Sequence, residues 1–171
     1  MQALIRLLDR ISWTPGALVA WLLIPLIAAS SYEVFSRYVL GEPTFWAFEI
    51  GYMVMGTHFL IGMAYALHSD AHVRVDLFYA RLPYKARALI DAFTYVCLLL
   101  PLCVWLTIGF WHKVVAAYAS HERSGMSAFN PVIWPYRLVM CAAFALLGLQ
   151  ALVQLIRCYQ VLTGALPDKK Q

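Results

Sequence analysis

"ISWTPGALVAWLLIPLIAASSY", residues 11–32, contains no charged side chain over 22 residues. A helix rises about 1.5 Å per residue, so roughly 20 such residues cross a hydrocarbon core about 30 Å thick. Three more uncharged runs follow, at residues 50–69, 92–112 and 138–156. Of the 171 residues, 63% are hydrophobic and 13% are charged. The sequence therefore predicts an all-α integral membrane protein with four transmembrane helices, because a helix satisfies its own backbone hydrogen bonds in lipid.

The four runs predict one membrane domain over residues 1–171, with spans at about 11–36, 49–68, 89–112 and 135–157. A cleaved signal peptide is the alternative for the first run, since Arg6 and Arg10 precede it. The run is longer than the apolar core of a signal peptide, which has about 7–15 residues. We therefore expect the first run to remain as a helix.

The distribution of Lys and Arg predicts the orientation. If the N-terminus is cytoplasmic, the inner segments hold nine of these residues and the outer segments hold four, Arg37, Lys113, Arg123 and Arg137. The positive-inside rule then places both termini in the cytoplasm. The net charge of +4 is explained by this topology and by attraction to lipid headgroups, so nucleic-acid binding is not expected.

The segment between the second and third spans concentrates charge. Two His, two Asp and two Arg occur in residues 66–83. Apolar residues recur there at a spacing of three or four, at Val75, Phe78, Tyr79 and Leu82. This pattern predicts an amphipathic helix on the membrane surface over residues 72–86. A metal site is not expected, because residues two apart on a helix, such as Asp70 and His72, point away from each other.

Several polar residues flank the first two spans. We predict a charge-assisted contact between Arg37 and Glu49 that joins the outer ends of these spans. Glu33 competes for Arg37, because it lies four residues earlier on the same helix face. The alternative is that these residues are surface charges in water. Gly41 is expected to end the first helix.

Polar residues also occur inside the spans. A face of the second span, Gly51, Met55, His58 and Gly62, has the small-residue spacing that lets helices approach closely in lipid. His58 is interpreted either as a neutral side chain with one hydrogen-bonded partner or as a ligand or proton relay. On the fourth span, Gln150 and Gln154 are expected to face protein or lipid headgroups.

Pro25 and Pro101 lie near the middle of the first and third spans. They suggest either tolerated kinks or the interrupted helices of a transporter built from two repeated hairpins. Four cysteines are present without a C-x-x-C pair, so no disulfide framework or zinc site is indicated.

Three stretches together resemble a known family. They are "SRYVLGEPTFWAFE" at 36–49, "FLIGMAYALHSDAHVRVDLFYARLP" at 59–83 and "ERSGMSAFNPVIWPYRLVMCAAFALLGLQAL" at 122–152. Their order and spacing are similar to those of the DctQ-type small membrane subunit of tripartite ATP-independent periplasmic (TRAP) transporters. One departure is that the family often has two consecutive acids after the Trp, whereas Trp46 is followed here by Ala47, Phe48 and a single acid, Glu49.

The resemblance implies a small accessory subunit in the bacterial inner membrane, without enzymatic activity or a cofactor. Such a subunit braces the large membrane subunit of a sodium-coupled secondary transporter, to which a periplasmic binding protein delivers an organic acid. By similarity, the structural or subunit-interface residues are Arg37, Trp46, Glu49, His72, Arg74, Asp76, Glu122, Pro131, Trp134 and Pro135. The polar face of the fourth span adds Gln150 and Gln154 to this set. No substrate-binding residue is expected in this chain, because four helices without buried acids offer too little polar lining.

Two other functions compete with this interpretation. A haem-binding anchor of a respiratory dehydrogenase is also a small four-helix subunit, but it needs two axial His at similar depth. His58 lies about 12 Å inside the second span, at about 1.5 Å per residue, whereas His112 lies at the outer end of the third. A stand-alone exporter would need an acidic residue well inside a span, and Glu33, Glu49 and Asp91 all lie near span ends.

Overall fold

The computed structural model describes residues 14–69 and 82–163, and most of these residues are helical. Four helices are long and apolar enough to cross a membrane. We number them α1 (Thr14–Leu40), α2 (Ala47–His68), α3 (Lys85–Ala119) and α4 (Trp134–Leu162). The predicted fold class, an all-α protein with four transmembrane helices, is confirmed.

The helices are longer than the uncharged runs that predicted them. With 35 residues at about 1.5 Å per residue, α3 extends for about 52 Å. Even when it is tilted by about 40°, such a helix is longer than a hydrocarbon core of about 30 Å. Part of α3 therefore lies outside the hydrocarbon, and the charge of Lys113 does not end the helix.

The two mid-span prolines coincide with local irregularities in continuous helices. Four residues before Pro25, the chain makes a turn at Trp21, whose N–H donates to the carbonyl oxygen of Leu18 at 3.1 Å. Pro101 follows a π-helical segment, Tyr95–Leu99. A proline ring clashes with the carbonyl four residues earlier, and these distortions relieve that clash. Because α1 and α3 continue past their prolines, the interpretation as tolerated kinks describes both helices.

Helix α4 is central, since it packs against α2 and against α3. The hydrophobic core is built from these three helices and comprises Ala64, Leu67, Tyr95, Cys103, Leu147, Ala151 and Cys158. Helix α1 packs mainly against α2. Between these two helices the His58 Nδ1 atom lies 3.0 Å from the carbonyl oxygen of Val19. His58 therefore has the hydrogen-bonded partner that the simpler of its two interpretations requires.

The predicted close-packing face of α2 meets another helix of this chain at His58 but not at its glycines. No described atom lies within 4 Å of the position that a Cβ atom would take at Gly51 or Gly62. The close approaches are at Gly56, which meets the Tyr136 hydroxyl group of α4, and at Gly16 of α1, which meets the Tyr65 side chain of α2. The spacing alone therefore did not indicate which glycines meet a neighbouring helix of this chain.

Helix α1 ends as predicted. Its last five residues, Ser36–Leu40, form a π-helical turn. Gly41 follows with φ 72°, a left-handed conformation that glycine adopts without steric cost, and its N–H donates to the Ser36 carbonyl oxygen.

Candidate functional site

Two loops meet at one end of the bundle, which we call the two-loop end. They are residues 41–46, between α1 and α2, and residues 120–133, between α3 and α4. The Ser127 hydroxyl donates to the Phe45 carbonyl oxygen at 3.0 Å, and the rings of Phe45 and Phe129 lie 6.5 Å apart. The two loops therefore contact each other directly.

Glu49 is the buried acid of the two-loop end. It lies in the first turn of α2 and is fully buried. The Ser124 hydroxyl donates to its Oε1 atom at 2.7 Å. Its Oε2 atom is also buried and has no hydrogen-bond partner among the residues that the structure describes. A hydrogen bond from Ser124 to a carboxylate contributes roughly 1.5–3 kcal/mol, so this contact fastens the loop to α2.

The 120–133 loop holds a defined shape through its own hydrogen bonds. The Ser124 N–H donates to the Pro131 carbonyl oxygen at 3.0 Å, and the Gly125 N–H donates to the Asn130 Oδ1 atom at 2.9 Å. Gly125 has φ 64° and Asn130 has φ 44°, both in the left-handed region that these residue types favour. This shape places the Ser124 side chain against Glu49.

An ion pair anchors the same loop to α4. The Arg137 Nη1 and Nη2 atoms donate to the Glu122 Oε2 and Oε1 atoms at 2.7 and 2.6 Å. Arg137 Nη1 also donates to the Lys113 carbonyl oxygen of α3 at 3.3 Å. The parallel hydrogen bonds match the planar guanidinium group to the carboxylate. Arg137 therefore joins the loop, α3 and α4.

The end of α1 has a separate ion pair, which also binds the 41–46 loop. The Arg37 Nε atom donates to the Glu33 Oε1 atom at 2.9 Å, and the Thr44 N–H donates to the Glu33 Oε2 atom at 2.8 Å. The predicted contact between Arg37 and Glu49 is wrong, because Arg37 pairs with its local competitor Glu33 and Glu49 accepts from Ser124. Glu49 is also not a surface charge, since burial removes it from water.

Two tryptophans stabilise the ends of helices here. Trp46 immediately precedes α2 and stacks on Tyr32, with ring centroids 6.2 Å apart. Trp134 is the first residue of α4 and contacts Tyr118 edge to face at 5.6 Å. Pro135 is the second residue of α4, where its missing N–H removes no helix hydrogen bond.

The two predicted glutamines lie in the opposite half of the bundle. Gln150 is fully buried and Gln154 is 7% exposed. The Gln154 Nε2 atom donates to the Leu67 carbonyl oxygen of α2 at 2.8 Å. Both side chains thus face protein within this chain, where they contribute to packing.

The remaining predicted residues, His72, Arg74 and Asp76, lie outside the described residues. The segment predicted at 72–86 is described only from Leu82 onward. Its interfacial helix and the role of these three residues stay predictions.

Three important residues were missing from the sequence-based set of site residues. Ser124 binds Glu49, Arg137 binds Glu122, and Tyr136 contacts the backbone at Gly56. Arg137 could have been found, because Glu122 and Arg137 are opposite charges at the two ends of one loop. No sequence signal marks Ser124 or Tyr136, since each depends on a contact with α2.

The polar contacts of the site join parts of the same chain. Where the structure describes the chain, the buried polar residues are Ser36, Glu49, Gln150 and Gln154, and no three His, Cys, Asp or Glu side chains are grouped as metal ligands are. Ser36, Glu49 and Gln154 each bond to another part of the same chain. The fold and the site define the class, a small multi-span membrane protein in which buried polar side chains such as Glu49 and Gln154 connect its own helices and loops.

Comparison with known proteins gives the family. Residues 26–161 match the model of the DctQ component of the tripartite ATP-independent periplasmic transporters, so the chain belongs to that family and is a TRAP transporter small permease subunit. It is similar to the sialic acid TRAP transporter small permease protein SiaQ of Vibrio cholerae serotype O1, with 25% identity over 107 residues. That match covers 63% of this chain and 62% of the relative. The resemblance drawn from the three stretches is confirmed, and nothing in these matches supports the haem-binding alternative.

Proposed function

We propose that this subunit braces the large membrane subunit of a sodium-coupled secondary transporter that imports an organic acid across the bacterial inner membrane. The observation that carries the proposal is the family match over residues 26–161. The packing supports a bracing role, because the buried Glu49 and Gln154 side chains connect elements of this chain. Transport in this proposal occurs in the large subunit.

In the proposed topology both termini are cytoplasmic and the two-loop end faces the periplasm. The excess of Lys and Arg on the opposite side supports this orientation. Two of the four basic residues at the two-loop end are in ion pairs, Arg37 with Glu33 and Arg137 with Glu122. The rule counts Lys and Arg rather than net charge, so the support for this orientation is the excess of nine over four, whether or not these residues are paired.

The proposed partners are the large permease subunit and a periplasmic substrate-binding protein. The family name specifies a tripartite transporter, and the relative is named as the small permease protein of a sialic acid transporter. Sialic acid is an organic acid, and this supports the proposed substrate class for the present chain. Membrane lipids contact the remaining apolar faces.

The experiment is reconstitution of the large subunit and the binding protein in liposomes, with and without this chain, followed by measurement of substrate uptake. We expect uptake driven by an inward sodium gradient only when this chain is present. A proton gradient of equal size serves as the matched control for the coupling ion. Full uptake in the absence of the chain would contradict the bracing role, and uptake driven equally by either gradient would contradict sodium coupling.

A further inference from the structure

Lys113 lies at the membrane edge between α3 and α4. It directly follows the uncharged run 92–112 of α3, and Arg137 directly precedes the uncharged run 138–156 of α4. The Arg137 Nη1 atom donates to the Lys113 carbonyl oxygen at 3.3 Å, so the two helices leave the apolar region at the same level. Charged residues that delimit an apolar span lie at the level of the lipid headgroups. Lys113 is therefore placed where the phosphate groups of a bilayer lie.

The Lys113 side chain points back toward the apolar region. Its Nζ atom lies 5.8 Å from the centroid of the Phe110 ring, about one turn earlier on α3. Phe110 stacks on Phe144 of α4, with ring centroids 5.6 Å apart and an angle of 10° between the rings. Side chains on a helix point toward its N-terminus, which for Lys113 is the direction of the uncharged run. The exposed ammonium group therefore lies over an aromatic ring at the edge of the hydrocarbon.

The Lys113 ammonium group lacks a counter-charge from the described residues. Glu122 reaches the same edge, but both of its carboxylate oxygen atoms accept from Arg137. Within residues 14–69 and 82–163, no carboxylate forms an ion pair with Lys113. Lys113, Arg137 and Glu122 together carry one more positive than negative charge. Because a charge at the edge of hydrocarbon is costly without a counter-charge, this position favours an anion that the described residues do not supply.

We propose that Lys113 binds the phosphate group of an anionic phospholipid whose acyl chains lie along the apolar surfaces of α3 and α4. The Nζ atom donates to a phosphate oxygen, and the single negative charge of a phosphodiester such as phosphatidylglycerol matches the excess positive charge. Lipid is the occupant because four apolar helices place this surface in a bilayer, whatever other subunits are present. Phosphate groups occur in both leaflets, so the assignment depends neither on the orientation of the chain nor on the proposed function.

Native mass spectrometry of the detergent-solubilised chain tests the lipid site. The chain is titrated with phosphatidylglycerol or with phosphatidylcholine of the same acyl chains, and we expect phosphatidylglycerol to be retained in preference. Lys113→Gln should reduce its retention about fivefold, the effect expected of one basic residue at an anionic headgroup. Lys113→Arg should preserve retention. Arg123→Gln removes an exposed positive charge from the 120–133 loop and, as the matched control, should leave retention unchanged.

Thermal unfolding in detergent gives a second readout in solution. Phosphatidylglycerol should raise the unfolding midpoint of the unaltered chain more than that of Lys113→Gln. Excess inorganic phosphate should not displace the lipid, because phosphate has no acyl chains; displacement would assign the site to a free anion and overturn the proposal. Equal retention of the two lipids, or equal retention of phosphatidylglycerol by Lys113→Gln and the unaltered chain, would also overturn it. Failure of the unaltered chain to retain phosphatidylglycerol would do the same and would favour an acid of another protein as the partner of Lys113.

Discussion

Helices α4 and α1 are of similar length, 29 and 27 residues, and of similar mean hydropathy, 2.2 and 1.8. In the most apolar part of each, 39% of the residues are buried in α4 and 6% in α1. The reason is position, because α4 packs against α2 and α3, whereas α1 packs mainly against α2. Hydropathy therefore identifies both as membrane helices without indicating which one is central.

The polar residues of the two helices differ in burial in the same way. Gln150 and Gln154 of α4 are buried inside the chain, and Gln154 donates to the Leu67 carbonyl oxygen. Ser30 and Ser31 of α1 are exposed. Polar groups in lipid need partners, and Gln154 of α4 has its partner inside this chain.

The largest expected effect comes from enlarging one alanine in each helix. Ala151 of α4 is fully buried in the core, whereas Ala28 of α1 is exposed. Ala151→Phe should destabilise the detergent-solubilised chain by about 3 kcal/mol, because the close-packed site has no room for a ring. Ala28→Phe should change the free energy of unfolding by less than about 0.5 kcal/mol. Titration with a denaturing detergent, followed by circular dichroism, measures both, and equal losses would contradict the distinction between the helices.

A smaller effect is expected from the two ion pairs of the two-loop end. Arg137→Gln removes the bidentate contact of α4 with Glu122 and should cost about 1–2 kcal/mol, discounted because the Glu122 side chain is 41% exposed. Arg37→Gln on α1 should have a smaller effect, since the Arg37 side chain is 54% exposed and the Thr44 N–H still binds Glu33.

Both arginine variants are measured by the same detergent titration at low and at high salt. The loss for Arg137→Gln should decrease at high salt, because ions screen a partly exposed pair. A loss for Arg37→Gln as large as that for Arg137→Gln would show that α1 is held as firmly as α4.

The helices were predictable from sequence because each contains an uncharged run long enough to cross lipid. Their ends were less predictable. The third run stops at His112, but α3 continues to Ala119 through "KVVAAYA", which contains one charge and several good helix formers. Charge marks where a helix leaves the hydrocarbon, whereas the helix itself ends where its backbone hydrogen bonds end.

The site was predictable only where partners are close in sequence. Glu33 and Arg37 are four residues apart, and their pair follows from helix geometry. Glu49 and Ser124 are separated by 75 residues, so their contact depends on how the loop folds over α2. The preference for Glu49 as the partner of Arg37 failed for this reason, because it assumed a tertiary contact where a local one was available.

The smallest expected effect concerns Gln154, which contributes one hydrogen bond within α4's interface with α2. Gln154→Leu keeps a similar volume and leaves the Leu67 carbonyl oxygen, in the last turn of α2, without its side-chain donor. Hydrogen bonds between membrane helices contribute about 0.6 kcal/mol on average, so we expect a loss of about 0.5–1 kcal/mol in the free energy of unfolding. Gln160→Leu, at a half-buried position near the end of α4, serves as the control and should change stability less.

Because Gln154 faces the interior of this chain, Gln154→Leu should also leave copurification with the large subunit unchanged. Loss of copurification without loss of stability would show that α4 presents a polar group to the partner.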